Sequence, residues 1–167
     1  IGALGTHAFD IIHWLIGPTN SINGLVSTAI STRPDVKTGQ NIEVTSEDIA
    51  FAQLEIEKMN GNGSIPCQVT LSAVSRQGRG FWLEVYGSKG SLILGSDNQK
   101  DYVHGFGLWI SQNNDKLTPV TIDSDVKFEK TWGDGRIAPV KSIQELWAES
   151  INLNRPMIPG LNEGLQS

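Results

Sequence analysis

Residues 47–57 set the tightest limit on what this chain can fold into. They alternate well: Ala50, Ala52, Leu54 and Ile56 fall on one side, Phe51, Gln53, Glu55 and Glu57 on the other. A two-residue period of this kind marks a half-buried strand. Asn60-Gly61-Asn62-Gly63 then reads as a turn, and Cys67 to Val74 as the returning strand. The pattern repeats in Phe81 to Tyr86, the Gly87-Ser88-Lys89-Gly90 turn, and Ser91 to Leu94. Ile22 to Ser31, Tyr102 to Ser111 and Leu117 to Ile122 are further strand candidates, the last two separated by Gln112-Asn113-Asn114-Asp115. Strands adjacent in sequence pair antiparallel.

The ends of the chain read as helices. Gly5 to Gly17 is apolar almost all the way round, with Thr6 as N-cap and Gly17-Pro18 as the stop. At about 100° per residue, His7, Asp10, Ile11 and Trp14 share one stripe. A helix greasy on most sides is expected to be covered on most sides, so this imidazole and carboxylate need partners or a job. Pro139 opens a second helix to about Leu153, with Ile143, Leu146, Trp147 and Ile151 on one apolar face. A third helix starts after Leu161. Thr32 to Ser46 has loop composition, and Asp123 to Ile137 is irregular.

Together these elements predict an α+β fold: a single, mainly antiparallel β-sheet with helices on one face. The other face would carry Phe51, Gln53 and Glu55, with Trp82, Glu84, Tyr86, Gln68, Thr70 and Ser72. Aromatics among hydrogen-bonding groups suit a protein interface; a solvated face with a few exposed aromatics is the plainer alternative.

Composition narrows the function classes. The 167 residues suit one domain with a real core, 38% of them hydrophobic. The net charge of −5, with no run of Lys or Arg, argues against nucleic acid and anionic membrane surfaces as partners. No stretch approaches the roughly 20 apolar residues needed to span a bilayer. The single Cys67 permits no internal disulfide, which leans toward a reducing, cytoplasmic compartment. Cys67 itself lies in a strand and reads as packed rather than nucleophilic.

Metal and phosphate chemistry find little support. His13 lies about 240° around the helix from His7, so the two cannot share a metal, and no Cys-x-x-Cys or His-x-x-x-His occurs. Gly87-x-x-Gly90 joins two β runs instead of leading into a helix, so it is a hairpin turn. No Gly-x-Gly-x-x-Gly dinucleotide fingerprint is present. Arg76 and Arg79 flank a glycine-containing corner, readable as solvated or as a ligand contact. His7 reads in two ways: a hydrogen-bonded core histidine, or a base that the positive end of the helix dipole keeps able to accept a proton.

Three segments carry a resemblance. Gly5-Thr6-His7-x-x-Asp10 followed by Trp14-Leu15-x-Gly17 resembles a helix of the glucose–fructose oxidoreductase/inositol dehydrogenase (Gfo/Idh/MocA) family. Arg79-Gly80-Phe81-x-Leu83-Glu84-Val85-Tyr86-Gly87-Ser88-Lys89-Gly90-Ser91-Leu92 is similar to that family's central strand pair. Asn154-Arg155-Pro156-x-x-Pro159-x-Leu161-x-Glu163-Gly164-Leu165 is similar to its closing segment. The resemblance implies that residues 1–167 are a C-terminal substrate and oligomerisation domain, cut at both ends, whose N-terminal Rossmann domain is absent.

In the whole protein, the same resemblance implies hydride transfer between NAD or NADP, held by that other domain, and a sugar, polyol or related hydroxyl substrate. His7 would be the catalytic base and Asp10 either a substrate ligand or a helix or interdomain hydrogen-bonding residue, and the domain alone would be inactive. One departure stands out: many family members carry Asp four residues before the histidine, where this chain has Ala3. A non-catalytic dimerisation or ligand-binding module is the competing reading.

Overall fold

The computed structural model describes residues 1–58, 60–98, 103–113, 115–128, 130 and 132–166. In chain order the first elements are α1 (Gly2–Leu15), β1 (Thr19–Ser27), β2 (Thr32–Pro34), β3 (Asn41–Glu43), β4 (Ile49–Glu57) and β5 (Ser64–Ser72). There follow β6 (Phe81–Gly87), β7 (Gly90–Ser96), β8 (Gly107–Gln112), β9 (Thr118–Pro119), α2 (Ile137–Asn152) and α3 (Leu161–Gln166). Every strand pairing among the described residues is antiparallel, and the class is α+β as expected. Among the described residues the hydrogen-bonded ladders are three, β1-β4-β5, β2-β3 and β6-β7-β8-β9, where one sheet was expected. The β5 ladder stops because the Ser72 hydroxyl accepts the N–H groups of Val74 and Ser75, and Gln77 then takes a positive φ of 55°.

The chain divides into two compact units, Ile1–Arg76 with Ile158–Ser167, and Gln77–Met157. In the first, α1 lies on one face of β1-β4-β5. Ile12, Leu54, Ile56 and Val69 form its buried core, and Phe9, Ile16, Ala52, Ile65, Cys67 and Leu71 pack against it. The helix leaves through Gly17 (φ 146°), where any side chain would run into the Glu57 carbonyl; only glycine permits this exit.

Two expectations are corrected here. The helix begins at Gly2, with Ile1 as N-cap and no side-chain cap. Thr6 lies inside it, its hydroxyl donating back to the Ala3 carbonyl at 3.0 Å. And Thr32 to Ser46 is not all loop: β2 and β3 pair within it, with Thr32 opposite Glu43 and Pro34 opposite Asn41. Three-residue strands interrupted by Pro34 are too short to show a period.

In the second unit the register aligns Trp82 with Gly95, and Gly95 with Gly107. A Cβ at Gly95 would collide with the Trp82 indole, and one at Gly107 with the Trp109 indole. Two rings thus lie flat over two bare backbones, stacked at 5.9 Å between centroids and 25° between planes. Phe81 and Phe106 meet edge to face, 5.5 Å apart.

α2 starts two residues before Pro139, which sits in the first turn where no intrahelical N–H is needed. Its expected apolar face does not find a cover: Ile143, Leu146, Trp147 and Ile151 remain 42–64% exposed. The strand expected from Tyr102 begins at Gly107; Tyr102 itself, and Asn114 of the following turn, lie outside the described residues.

Candidate functional site

The side of α1 turned to the sheet carries Gly5 and Ile12, both buried, with Phe9 and Ile16. Gly5 faces the Leu71 side chain, and a Cβ there would meet it at 3.6 Å, an ordinary van der Waals contact. Helical geometry then puts Ala3, His7, Asp10 and Trp14 on the opposite, outward stripe. His7 and Asp10 are exposed and Trp14 is 81% exposed. The imidazole is therefore not a sealed core histidine. Neither His7 nor Asp10 makes a hydrogen bond or ion pair among the described residues.

The expectation that α1 is covered on most sides is overturned within this chain: only the sheet side is covered. A periodic pattern reports which residues are apolar, not what lies against them. Because α1 starts at Gly2, His7 sits in its second turn. That is beyond the first turn, where the N-terminal partial charge of a helix acts. What remains is an accessible proton acceptor with a carboxylate one turn on. Its neighbour one turn back, Ala3, offers only a methyl group.

His13 is half-buried, its Nε2 2.9 Å from the Thr19 hydroxyl, tying the helix to the start of β1. Among the described residues no three His, Cys, Asp or Glu come together as a metal site. Burial pushes the Cys67 thiol up, away from the reactive thiolate. Arg79 caps the Trp82 ring at 4.0 Å and donates to Glu84 at 3.1 Å, while the Tyr86 hydroxyl donates to Glu84 at 2.7 Å. Arg79 is thus engaged by its own sheet, and the Tyr86–Glu84 hydrogen bond lowers the Glu84 carboxyl and raises the Tyr86 hydroxyl.

One polar residue escaped sequence reasoning. Asp48, at the start of the alternating strand, is 3% exposed. Its carboxylate accepts the Ala29 N–H at 2.7 Å and the Ile30 N–H at 3.0 Å, with the Arg33 guanidinium at 3.4 Å. The Ala29 bond, then those of Ile30 and Arg33, hold its pKa below the usual value against the opposing effect of burial. A depressed folded pKa stabilises the fold above the ordinary carboxylate range and is lost as pH falls through the folded value. Asp48→Asn is accordingly expected to lower Tm by about 5 °C at pH 7. The gap between variant and parent should close below about pH 4. Melting curves across pH that run parallel would remove the carboxylate from this role.

Comparison with known proteins fixes the class. The family model described as the oxidoreductase family's C-terminal alpha/beta domain matches residues 1–167. This chain belongs to that family, Gfo/Idh/MocA, as its C-terminal domain. An uncharacterised oxidoreductase of Synechocystis sp. is 42% identical over 168 residues, covering 100% of this chain and 44% of that protein. A levoglucosan dehydrogenase solved with NADH and L-sorbose shares the fold with a TM-score of 0.70 at 17% identity, over 96% of this chain and 43% of its own. The super-repressor mutant of Gal80p from Saccharomyces cerevisiae shares it at 0.56 and 15% identity, over 92% of this chain and 39% of its own. The chain spans less than half the length of the relatives it matches. Among the described residues no helix is long and apolar enough to cross a membrane.

Proposed function

We propose that this chain is the C-terminal substrate and oligomerisation domain of an NAD- or NADP-dependent dehydrogenase acting on a sugar, polyol or related hydroxyl compound. The observation that carries the reading is the outward stripe of α1, where His7 and Asp10 stand exposed and unengaged by other described residues in an oxidoreductase-family chain. A neutral imidazole at His7 accepts the substrate hydroxyl's proton, while Asp10, about one helical turn away, accepts a hydrogen bond from a second hydroxyl. With Ala3 in the preceding turn, no carboxylate from that side shares the proton. The residues described here include no dinucleotide cradle, so the nicotinamide, which supplies the hydride-accepting carbon when bound, belongs to another part of the full-length protein. The domain alone would accordingly be inactive.

Association of copies through the open face of β1-β4-β5 and a cytoplasmic setting, argued from the single Cys67, complete the reading. The test is formation of reduced nicotinamide by the full-length protein with NAD and NADP over a panel of sugars and polyols. Turnover with one class is the expected result; none with either cofactor across the panel overturns it. That outcome would favour the second reading, a non-catalytic module, which the fold shared with the Gal80p super-repressor and the Ala3 departure support.

A further inference from the structure

The ribbon of β2 and β3 is ordered and bare. Asp35 builds its tip, the carboxylate accepting the Lys37 and Thr38 N–H groups at 2.9 and 2.7 Å and the Thr38 hydroxyl at 3.0 Å. Asp48 fixes its base through Ala29, Ile30 and Arg33, and the Thr28 hydroxyl donates to the Ser46 carbonyl. Yet all six strand residues are exposed, Ile42 is half-exposed, and Val36 at the tip is fully exposed. A two-stranded ribbon is at best marginally stable alone, and among the described residues β2 and β3 form a ladder with each other and with no other strand.

The open face of β1-β4-β5 is its complement. The register sets Leu25, Phe51 and Thr70 in one row, Asn23, Gln53 and Gln68 in the next, then Ser21, Glu55 and Pro66, with Glu57 beyond. The face is apolar at one end, acidic at the other, and bridged by side-chain amides. Of the ribbon's charges, Asp35 is used by its own turn and Arg33 by Asp48, and Glu43 lies at the base opposite Thr32, which leaves Lys37 beside Val36 as the tip's cation. Phe51 and Glu55 are about 13 Å apart along the strand, within the footprint of a tip turn that carries a long lysine side chain.

We propose that the β2–β3 arm of one copy lies across the open β1-β4-β5 face of a second copy. Val36 packs on Leu25 and Phe51 there, and Lys37 faces Glu55 and Glu57. Two-fold symmetry gives each copy one arm and one face, so the contact closes as a dimer. The inference rests on the sheet face being the association surface, as proposed above.

The experiment is light scattering after size exclusion, over a dilution series, on the full-length protein and its Val36→Asp and Lys37→Glu variants. Both positions are exposed tip residues, and circular dichroism checks that the fold is kept. Each substitution is expected to weaken the dimer about tenfold or more, and Glu55→Lys to restore association to Lys37→Glu. A parent that stays monomeric at every concentration overturns the sheet-face reading together with the arm. A dimer that neither tip variant weakens overturns the arm alone.

Discussion

Replacing His7 by asparagine in the full-length protein should lower kcat about 10²- to 10⁴-fold on a confirmed hydroxyl substrate, with KM changed far less. That range corresponds to about 3–5 kcal/mol of lost transition-state stabilisation. The KM-against-kcat split follows from the role: a base acts on the proton in flight, whereas Asp10 acts on the bound hydroxyl. Asparagine keeps a polar group of similar size on the outward stripe of α1, so the fold and the sheet-facing row of Gly5, Phe9, Ile12 and Ile16 are not disturbed. Steady-state kinetics of both proteins on the same substrate checks it. Unchanged turnover would take His7 out of the chemistry and leave the stripe as a surface.

The second large effect belongs to the core. Ile56 is 1% exposed and shares the cluster of Ile12, Leu54 and Val69 under α1. Ile56→Ala is expected to cost roughly 2–5 kcal/mol, since both the transferred methyl groups and the cavity they leave count against the fold. Val126→Ala, at a 73% exposed position, should stay within about 0.5 kcal/mol. Urea denaturation of the two variants beside the parent reads the difference directly. Equal midpoints would mean that this cluster is not what holds the first unit together.

The paired strands β4-β5 and β6-β7 were legible because alternation and turn residues act locally: Ala50 to Ile56 and the Asn-Gly repeats carry their own instructions. The chemistry of α1 was legible in part. His7 and Asp10 could be placed on one stripe from spacing alone, but the start at Gly2 could not, since Ile1 caps the helix without a side chain. The bare outer side of that helix was equally hidden, because coverage depends on other parts of the fold. Asp48 was invisible for a different reason. Its partners Ala29 and Ile30 lie 18–19 residues away and are backbone groups, which leave no mark in a sequence.

The indoles of Trp82 and Trp109 and the bare backbones of Gly95 and Gly107 lock one another in place. A methyl group on either glycine would run into the ring above it, and at Gly95 into the Phe81 carbonyl as well, while a smaller ring would leave a hollow over the glycine beneath. Single-letter drift at any of these four sites therefore starts downhill, and divergence among relatives should pass through coordinated exchanges, with the quartet inherited or lost as a block.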